Sequence, residues 1–290
     1  MDKPTISIIG LGKVGTALLR VLSENGYRIH SAINKGSIPY ELKSNHSEVT
    51  FLNSVPGTMD NLGELILITV PDDAISEVVD EIGQNLKTLN GKAVAHCSGT
   101  HSSAILNKLK SKGAKTASFH PNRSITGSTK DFKDTWFDVE GDEEMIRVFE
   151  RIAEDLNADF IEIEASQKPY LHASAVIASN YLVVLADLMT KVSAKGGITE
   201  EVSLKALIPL MRNTMDNIEQ NGVSDSLTGP IARGDVNTVS NHLELLRSDP
   251  ELLNLYKVLG LEALNISELK DSDSPTYERL KDILSDRTTE

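Results

Sequence analysis

Thr5-Ile-Ser-Ile-Ile-Gly10-Leu-Gly12-Lys-Val-Gly15-Thr-Ala-Leu-Leu19 reads as a buried strand that turns sharply into a helix. Gly10 permits the tight turn, Gly12 lets the backbone approach a pyrophosphate, and Gly15 lets helix and strand pack closely. The first-turn N–H groups, from Leu11 through Lys13 and Val14, combine with the positive end of the helix dipole to hold phosphates. Glycine-rich turns also occur in proteins that bind nothing, so context decides. Here an apolar run precedes the turn, and Val14, Ala17, Leu18, Val21 and Leu22 follow it at helical spacing. The stretch is therefore expected to bind a dinucleotide.

The 290 residues suffice for two domains of ordinary size. With 29 Lys and Arg against 42 Asp and Glu, the formal charge of -13 disfavours nucleic acid and anionic membrane surfaces as partners. A single cysteine, Cys97, allows no intramolecular disulfide and suggests a reducing compartment. No N-terminal signal pattern is visible, and no run approaches the roughly 18 apolar residues of a membrane span. A soluble, cytoplasmic protein is expected.

Beyond the first helix, Tyr27 to Ala32 reads as a second strand, whose end examines the adenosine ribose in such folds. Asn34, Lys35 and Ser37 stand where an acidic residue would favour NAD. Neutral donors beside a cation suit the 2′-phosphate of NADP, although a solvated turn would look similar. Strands are expected at Val49 to Phe51, Glu64 to Val70, Ala93 to Ala95, Lys115 to Phe119, Trp136 to Val139 and Phe160 to Ile163, with a helix around Glu143 to Leu156. Alternating strands and helices over about 165 residues argue an α/β fold with a largely parallel, Rossmann-type sheet. Val70, Pro71 and Asp72 should line the cofactor at a strand end, with an aspartate of this turn capping the next helix. Ser98 and Gly99 are expected to contact the nicotinamide half; His120, beside Pro121, either meets substrate at another strand end or is a structural histidine beside a proline turn. His96, Cys97 and His101 lack the companions of a metal ligand set, so no metal is expected. Cys97 reads as an inert thiol.

From Ser166 the periodicity turns helical throughout. One helix of about 40 Å should run from Pro169 to Lys195. Others follow at Glu200 to Gln220, Thr238 to Leu246, Pro250 to Asn265 and, after a Ser274-Pro275 start signal, Thr276 to Leu284. The expected division is 1–165, a dinucleotide-binding domain, and 166–290, a helical domain for substrate and dimerisation. On the long helix, His172 and Ser179 should share a face with Asn180 one step round. A polar stripe satisfied inside a bundle is the structural alternative. Thr228 and Arg233 lie in a shaped loop, Leu227-Thr-Gly-Pro-Ile-Ala-Arg-Gly-Asp235, where Arg233 either holds a substrate carboxylate or pairs with Asp235.

Gly10 to Gly15, His96 to Gly99, Ser118 to Pro121, Lys168 to His172 and Leu227 to Asp235 together resemble bacterial Rossmann-like proteins whose C-terminal half is a domain of unknown function. More distantly, the chain is similar to pyrroline-5-carboxylate reductase, ketopantoate reductase and deazaflavin-dependent NADP reductases. The resemblance implies two domains, NADP and a homodimer formed through the helical half. In the hydroxyacid-dehydrogenase and ketopantoate-reductase relatives, a lysine and an asparagine four residues apart act on the substrate oxygen. Lys168 and His172 occupy those positions here, His172 replacing the asparagine. His172 is the expected proton donor, Lys168 its electrostatic helper and Asn180 an orienting amide. The function expected is hydride transfer between NADP(H) and a small C=O or C=N substrate. A nucleotide-binding sensor without turnover and a deazaflavin-dependent NADP reductase are the alternatives.

Overall fold

In the computed structural model, residues 3–271 and 275–285 are described. Ser274 of the expected start signal lies outside them. The chain forms two compact units, Met1–Ser179 and Asn180–Glu290.

The first unit is built on one eight-stranded sheet, ordered β3-β2-β1-β4-β5-β6-β7-β8. Its strands are β1 (Ile6–Ile9), β2 (Ile29–Ile33), β3 (Thr50–Leu52), β4 (Leu65–Ile68), β5 (Ala93–His96), β6 (Lys115–Asn122), β7 (Trp136–Gly141) and β8 (Asp159–Glu162). Its helices are α1 (Lys13–Glu24), α2 (Tyr40–Asn45), α3 (Ile75–Asn85), α4 (Asn107–Lys110), α5 (Glu143–Asp155) and α6 (Lys168–Val176). The central strands are apolar at consecutive positions because both faces are covered. Ile6, Ile8, Leu65 and Leu67 join the core with α1 and α5, whereas Ile9, Ile66 and Ile68 join the core with α3. Phe119 stacks between Phe137 and Phe149, at centroid distances of 4.2 and 4.3 Å, and so clamps α5 to the sheet.

One pairing breaks the parallel pattern. β7 runs antiparallel to β6, in a register that sets His120 opposite Asp138 and Asn122 opposite Trp136. β6 accordingly extends three residues beyond the expected end at Phe119, so His120 lies within the strand and not after it. Pro121 is tolerated because β5 pairs with β6 only as far as Ser118. Past that point no parallel neighbour requires an N–H.

α6 begins at Lys168 with Pro169 in its first turn, where a missing N–H costs nothing. Lys168 and His172 are thus four residues apart on one helix and share a face. The long helix is not uniform: Ile177–Tyr181 forms a π-helical turn before α7 (Leu182–Lys195). The wider turn resets the angular register, so the 100° step does not carry from His172 to Ser179 and Asn180. Asn180 is exposed and Ser179 partly so. Against the sequence expectation, Lys168–Lys195 is long and apolar enough to cross a membrane by length and composition, although it also carries His172, Ser174, Ser179 and Asn180.

The second unit contains α8 (Glu200–Asn221), α9 (Val223–Ser226), α10 (Val236–Leu246), α11 (Pro250–Ile266) and α12 (Pro275–Ser285) after α7. Thr199, Asp235 and Asp249 cap α8, α10 and α11 with their side chains. Val239, Leu264, Leu280 and Leu284 form one small core, and Leu246, Leu252 and Leu253 another, against which Leu188 packs.

The opening turn follows the sequence reading. Gly10 adopts φ +102°, and a Cβ at Gly15 would lie 1.9 Å from the Gly10 carbonyl oxygen, whereas one at Gly12 would meet nothing within 4 Å. Gly15→Ala should therefore cost about 1–3 kcal/mol through overpacking. Gly12→Ala should stay within about 0.5 kcal/mol of the parent. Urea midpoints of the two variants check this.

Candidate active site

The parallel strands β1, β4, β5 and β6 deliver their carboxyl ends to one edge of the sheet, where ligands bind in open α/β folds. At β1, Thr69 donates its hydroxyl to the Gly10 carbonyl at 2.6 Å and fixes the turn, a role the sequence did not signal. α1 has no side-chain N-cap and no acidic residue in its first turn, so its dipole end is open to a phosphate, although the Leu11 N–H expected to serve it is taken by Asn34. Leu11 donates its N–H to the Asn34 side chain at 3.0 Å, while Lys13 is exposed and Val14 half-buried. The residues fit a dinucleotide because a Cβ is excluded at Gly10 and Gly15 and the space over Gly12 is open.

Beside this turn lies a groove of about 570 Å³, bordered among others by Gly10, Asn34, Lys35, Val70, Pro71 and Glu77. Asn34 thus serves both the turn and the groove. Lys35 is less free than expected: its ammonium meets Glu77 at 2.7 Å and Glu81 at 3.5 Å. Asp72 does not cap α3, which follows a 3-10 turn and has no side-chain cap. Instead it accepts the Thr100 hydroxyl at 2.5 Å. Partial burial opposes ionisation of Asp72, yet the hydroxyls of Thr100 and Ser98 outweigh it and hold the carboxyl below its usual range.

The loop after β5 is tied by Ser98, whose hydroxyl oxygen accepts the N–H groups of Thr100 and His101 at 3.1 and 3.0 Å. His96 is structural. Its Nδ1 faces the Ser98 N–H at 3.2 Å and its Nε2 the Ser102 carbonyl at 3.1 Å, an arrangement satisfied only by the neutral ring protonated at Nε2. Burial pushes this histidine down to about 4. Burial also pushes the Cys97 thiol up to about 12, against the pull of Lys168, in keeping with an inert thiol. Among the described residues no cluster of three or more His, Cys, Asp or Glu is placed to hold a metal ion.

The chemistry gathers around a residue that sequence reading passed over. Asp138, in the middle of β7 and 1% exposed, receives Lys168 Nζ on one oxygen at 2.5 Å. Its other oxygen receives His120 Nδ1 at 2.7 Å and Asn122 Nδ2 at 2.9 Å. Burial works against its charge, but the His120 hydrogen bond and the Lys168 charge prevail and hold the carboxyl below its usual range. Lys168, expected beside a substrate oxygen, is itself 1% exposed and spent on this ion pair. His172 and His120 stand edge to face, ring centroids 5.8 Å apart. Gly99 faces both: a Cβ there would lie 2.3 Å from His172 Nδ1 and 2.9 Å from His120 Nε2. His172 Nδ1 is buried without a hydrogen-bond partner. The signal for Asp138 was an acid inside the apolar alternation Trp136-Phe-Asp-Val-Glu140, with Lys168 as a cation able to balance it.

Thr228 and Arg233 belong to the second unit, where they line a separate pocket with Ser224, Leu227 and Ser267. Both oxygens of Asp235 bond to Thr238 as the cap of α10, and Arg233 acts on the carboxylate only as a nearby charge.

Residues 2–121 match the model of a Rossmann-like domain, and residues 135–263 match that of DUF2520, a domain of unknown function. The chain joins a Rossmann-like domain to a DUF2520 domain. His120 falls in the first match, and Asp138, Lys168 and His172 in the second, so the cluster draws on both. Over 97 residues the chain is 33% identical to the glycerol-3-phosphate dehydrogenase (NAD(P)+) of Enterococcus faecalis, a match taking in 30% of this chain and 28% of that enzyme. The chain thus spans under a third of that curated relative's length. Protein TM1727 from Thermotoga maritima superposes with a TM-score of 0.71 at 27% identity, covering 92% of this chain and 100% of that one. Pyrroline carboxylate reductase from Plasmodium falciparum, solved with NADP bound, superposes at 0.61 with 14% identity over 98% of this chain and 100% of that one.

The Asp138 cluster sets two expectations. Lys168→Ala leaves a buried carboxylate with one counter-charge removed and should cost about 3–5 kcal/mol. Because the folded Asp138 carboxyl titrates below the ordinary aspartate range, its contribution is complete above that range and is lost as pH falls through the lower folded value. Urea midpoints of parent and variant, compared at about pH 6 and at successively lower pH, should converge in acid.

Proposed function

We propose that the chain is an NADP-dependent oxidoreductase that moves hydride between the nicotinamide and a small C=O or C=N substrate. The observation carrying this reading is the single sheet edge shared by the open glycine turn at Gly12 and two histidines facing Gly99. The solved relative with NADP bound has the same fold. The N–H groups at Gly12 to Gly15 would hold the pyrophosphate, Asn34 and Lys35 the ribose end, and Val70 to Asp72 with Ser98 and Gly99 the remainder. The cofactor, when bound, supplies hydride. The chain's part is to orient substrate and cofactor and to manage one proton. His172, with its buried unpartnered Nδ1, is the group placed to hydrogen-bond the substrate atom that gains charge. Ser179 is proposed as an outer substrate contact. We further read the protein as cytoplasmic and as a homodimer joined through its helical unit. Val183, Val202, Leu210 and Leu245 of that unit are 55–73% exposed.

Fluorescence titration should show tighter binding of NADP(H) than of NAD(H), since an exposed ion pair is weak and Lys35 can exchange Glu77 for a 2′-phosphate. Gly12→Ala should weaken NADP(H) binding at least tenfold while leaving the fold intact. Screening keto acids, keto esters and cyclic imines with NADPH tests turnover, and binding without any turnover would favour the sensor. Once a substrate is in hand, His172→Ala should lower kcat by about 10²–10³ with NADP(H) affinity little changed, the loss expected for one donor to a developing charge. Light scattering should give twice the 31.6 kDa chain mass.

A further inference from the structure

We propose that His120, aimed by Asp138, carries the proton of the reaction at its Nε2, and that Lys168 is a buried positioning residue which never meets substrate. The proposal deepens the oxidoreductase reading and rests on it. Four observations lead there.

First, the antiparallel register places His120 directly opposite Asp138. Their 2.7 Å contact is therefore set by the backbone ladder and does not depend on a flexible loop. Second, an ionised carboxylate can only accept, so the hydrogen between them belongs to His120 Nδ1. Nε2 is then left as a base, or as an acid once the ring takes a second proton. Third, Nε2 lies against Gly99 at the carboxyl end of β5, where the two rings leave no room for a Cβ, and the His120 side chain keeps 15% exposure. His172 Nδ1 packs against the same glycine, buried and without a hydrogen-bond partner, so a second ring nitrogen is placed beside His120 Nε2. Fourth, Lys168 Nζ and Asn122 Nδ2 occupy the remaining directions around Asp138. They hold the carboxylate in place and charged, which keeps the ring proton on His120.

In the reductive direction, the Nε2–H bond of the His120 imidazolium breaks. Its proton passes to the substrate oxygen or nitrogen that has received an electron pair as hydride arrives from the nicotinamide. His120 is left as the neutral ring, with its Nδ1–H on Asp138. In the oxidative direction, Nε2 of the neutral ring takes the proton of the hydroxyl or amine. Asp138 orients the ring throughout and is not protonated, the division of labour seen wherever a carboxylate backs a histidine base.

The test uses the 290-residue chain labelled with ¹⁵N-histidine, whose ring nitrogens report their protonation in two-bond ¹H–¹⁵N correlation spectra. The parent should show neutral His120 protonated at Nδ1 with Nε2 bare. Asp138→Asn combined with Lys168→Met removes both buried charges together, so the fold need not carry an unpaired one. In that variant His120 should mix its tautomers. NADPH-dependent reduction of a keto ester (ethyl levulinate) or a cyclic imine (pyrroline-5-carboxylate) should fall about 10³–10⁴-fold, while NADP(H) affinity stays within threefold. His120→Gln, which leaves the ion pair in place, should lose turnover to the same extent. An Nε2–H tautomer in the parent overturns the proposal. So does a double variant that keeps both tautomer and turnover, or a His120→Gln variant that works within tenfold of the parent. A parent that binds NADP(H) and reduces neither probe, nor anything in a wider panel, overturns the oxidoreductase reading and the proton role with it. The tautomer then reports on the Asp138–His120 pair alone. Failure of His120→Gln to matter, with the parent active, overturns the proton role and leaves the oxidoreductase reading standing.

Discussion

The buried carboxylate of Asp138 is the constraint on which this site depends. A charge enclosed in the protein is tolerated only when paired and hydrogen-bonded. Asp138 meets that requirement by drawing Lys168 from the start of α6, His120 from β6 and Asn122 from the end of the same strand. Each partner is thereby fixed in return. The lysine anchors the first turn of α6, which carries His172 one turn further on, so one carboxylate positions both histidines that face Gly99.

The antiparallel seam makes this possible. In a wholly parallel sheet β6 would end where β5 ends, and His120 would ride on a loop. Pairing with β7 extends the strand and alternates its faces. Phe119, Phe137 and Val139 go into the core under α5, while His120 and Asp138 face the other way. The same residues that clamp α5 therefore fix the register that aligns the histidine with its carboxylate.

The glycine turn is a second, independent piece of preorganisation. Gly10 and Gly15 lack a Cβ because there is no room for one, and Gly12 lacks it where the space is open. Steric necessity and ligand access are thus separated along six residues. Thr69, hydrogen-bonded to the Gly10 carbonyl, secures the turn from the neighbouring strand. Asn34 secures it from the other side, through the Leu11 N–H. Asn34 was singled out for the ribose end and also proves to be a support of the turn.

The sequence by itself determined the elements. Strand β1, the turn, α1, and the helices α8, α10, α11 and α12 could be read because local pattern dictates them: apolar runs, 3.6-residue spacing, glycine at positive φ and prolines in first turns. It also picked out Gly99, His120, Lys168 and His172, since polar or glycine positions at strand and helix ends are visible in one dimension. Tertiary structure decided what those residues do. Whether Lys168 met substrate or a carboxylate depended on Asp138, thirty residues away and on an antiparallel strand that no local periodicity distinguishes from a parallel one. The end of β6 depended likewise on a partner past the proline, and the pairing of Asp72 with Thr100 depended on two adjacent strand ends. Burial of a charge and the register of a strand are properties of neighbours in space, and sequence spacing encodes neither.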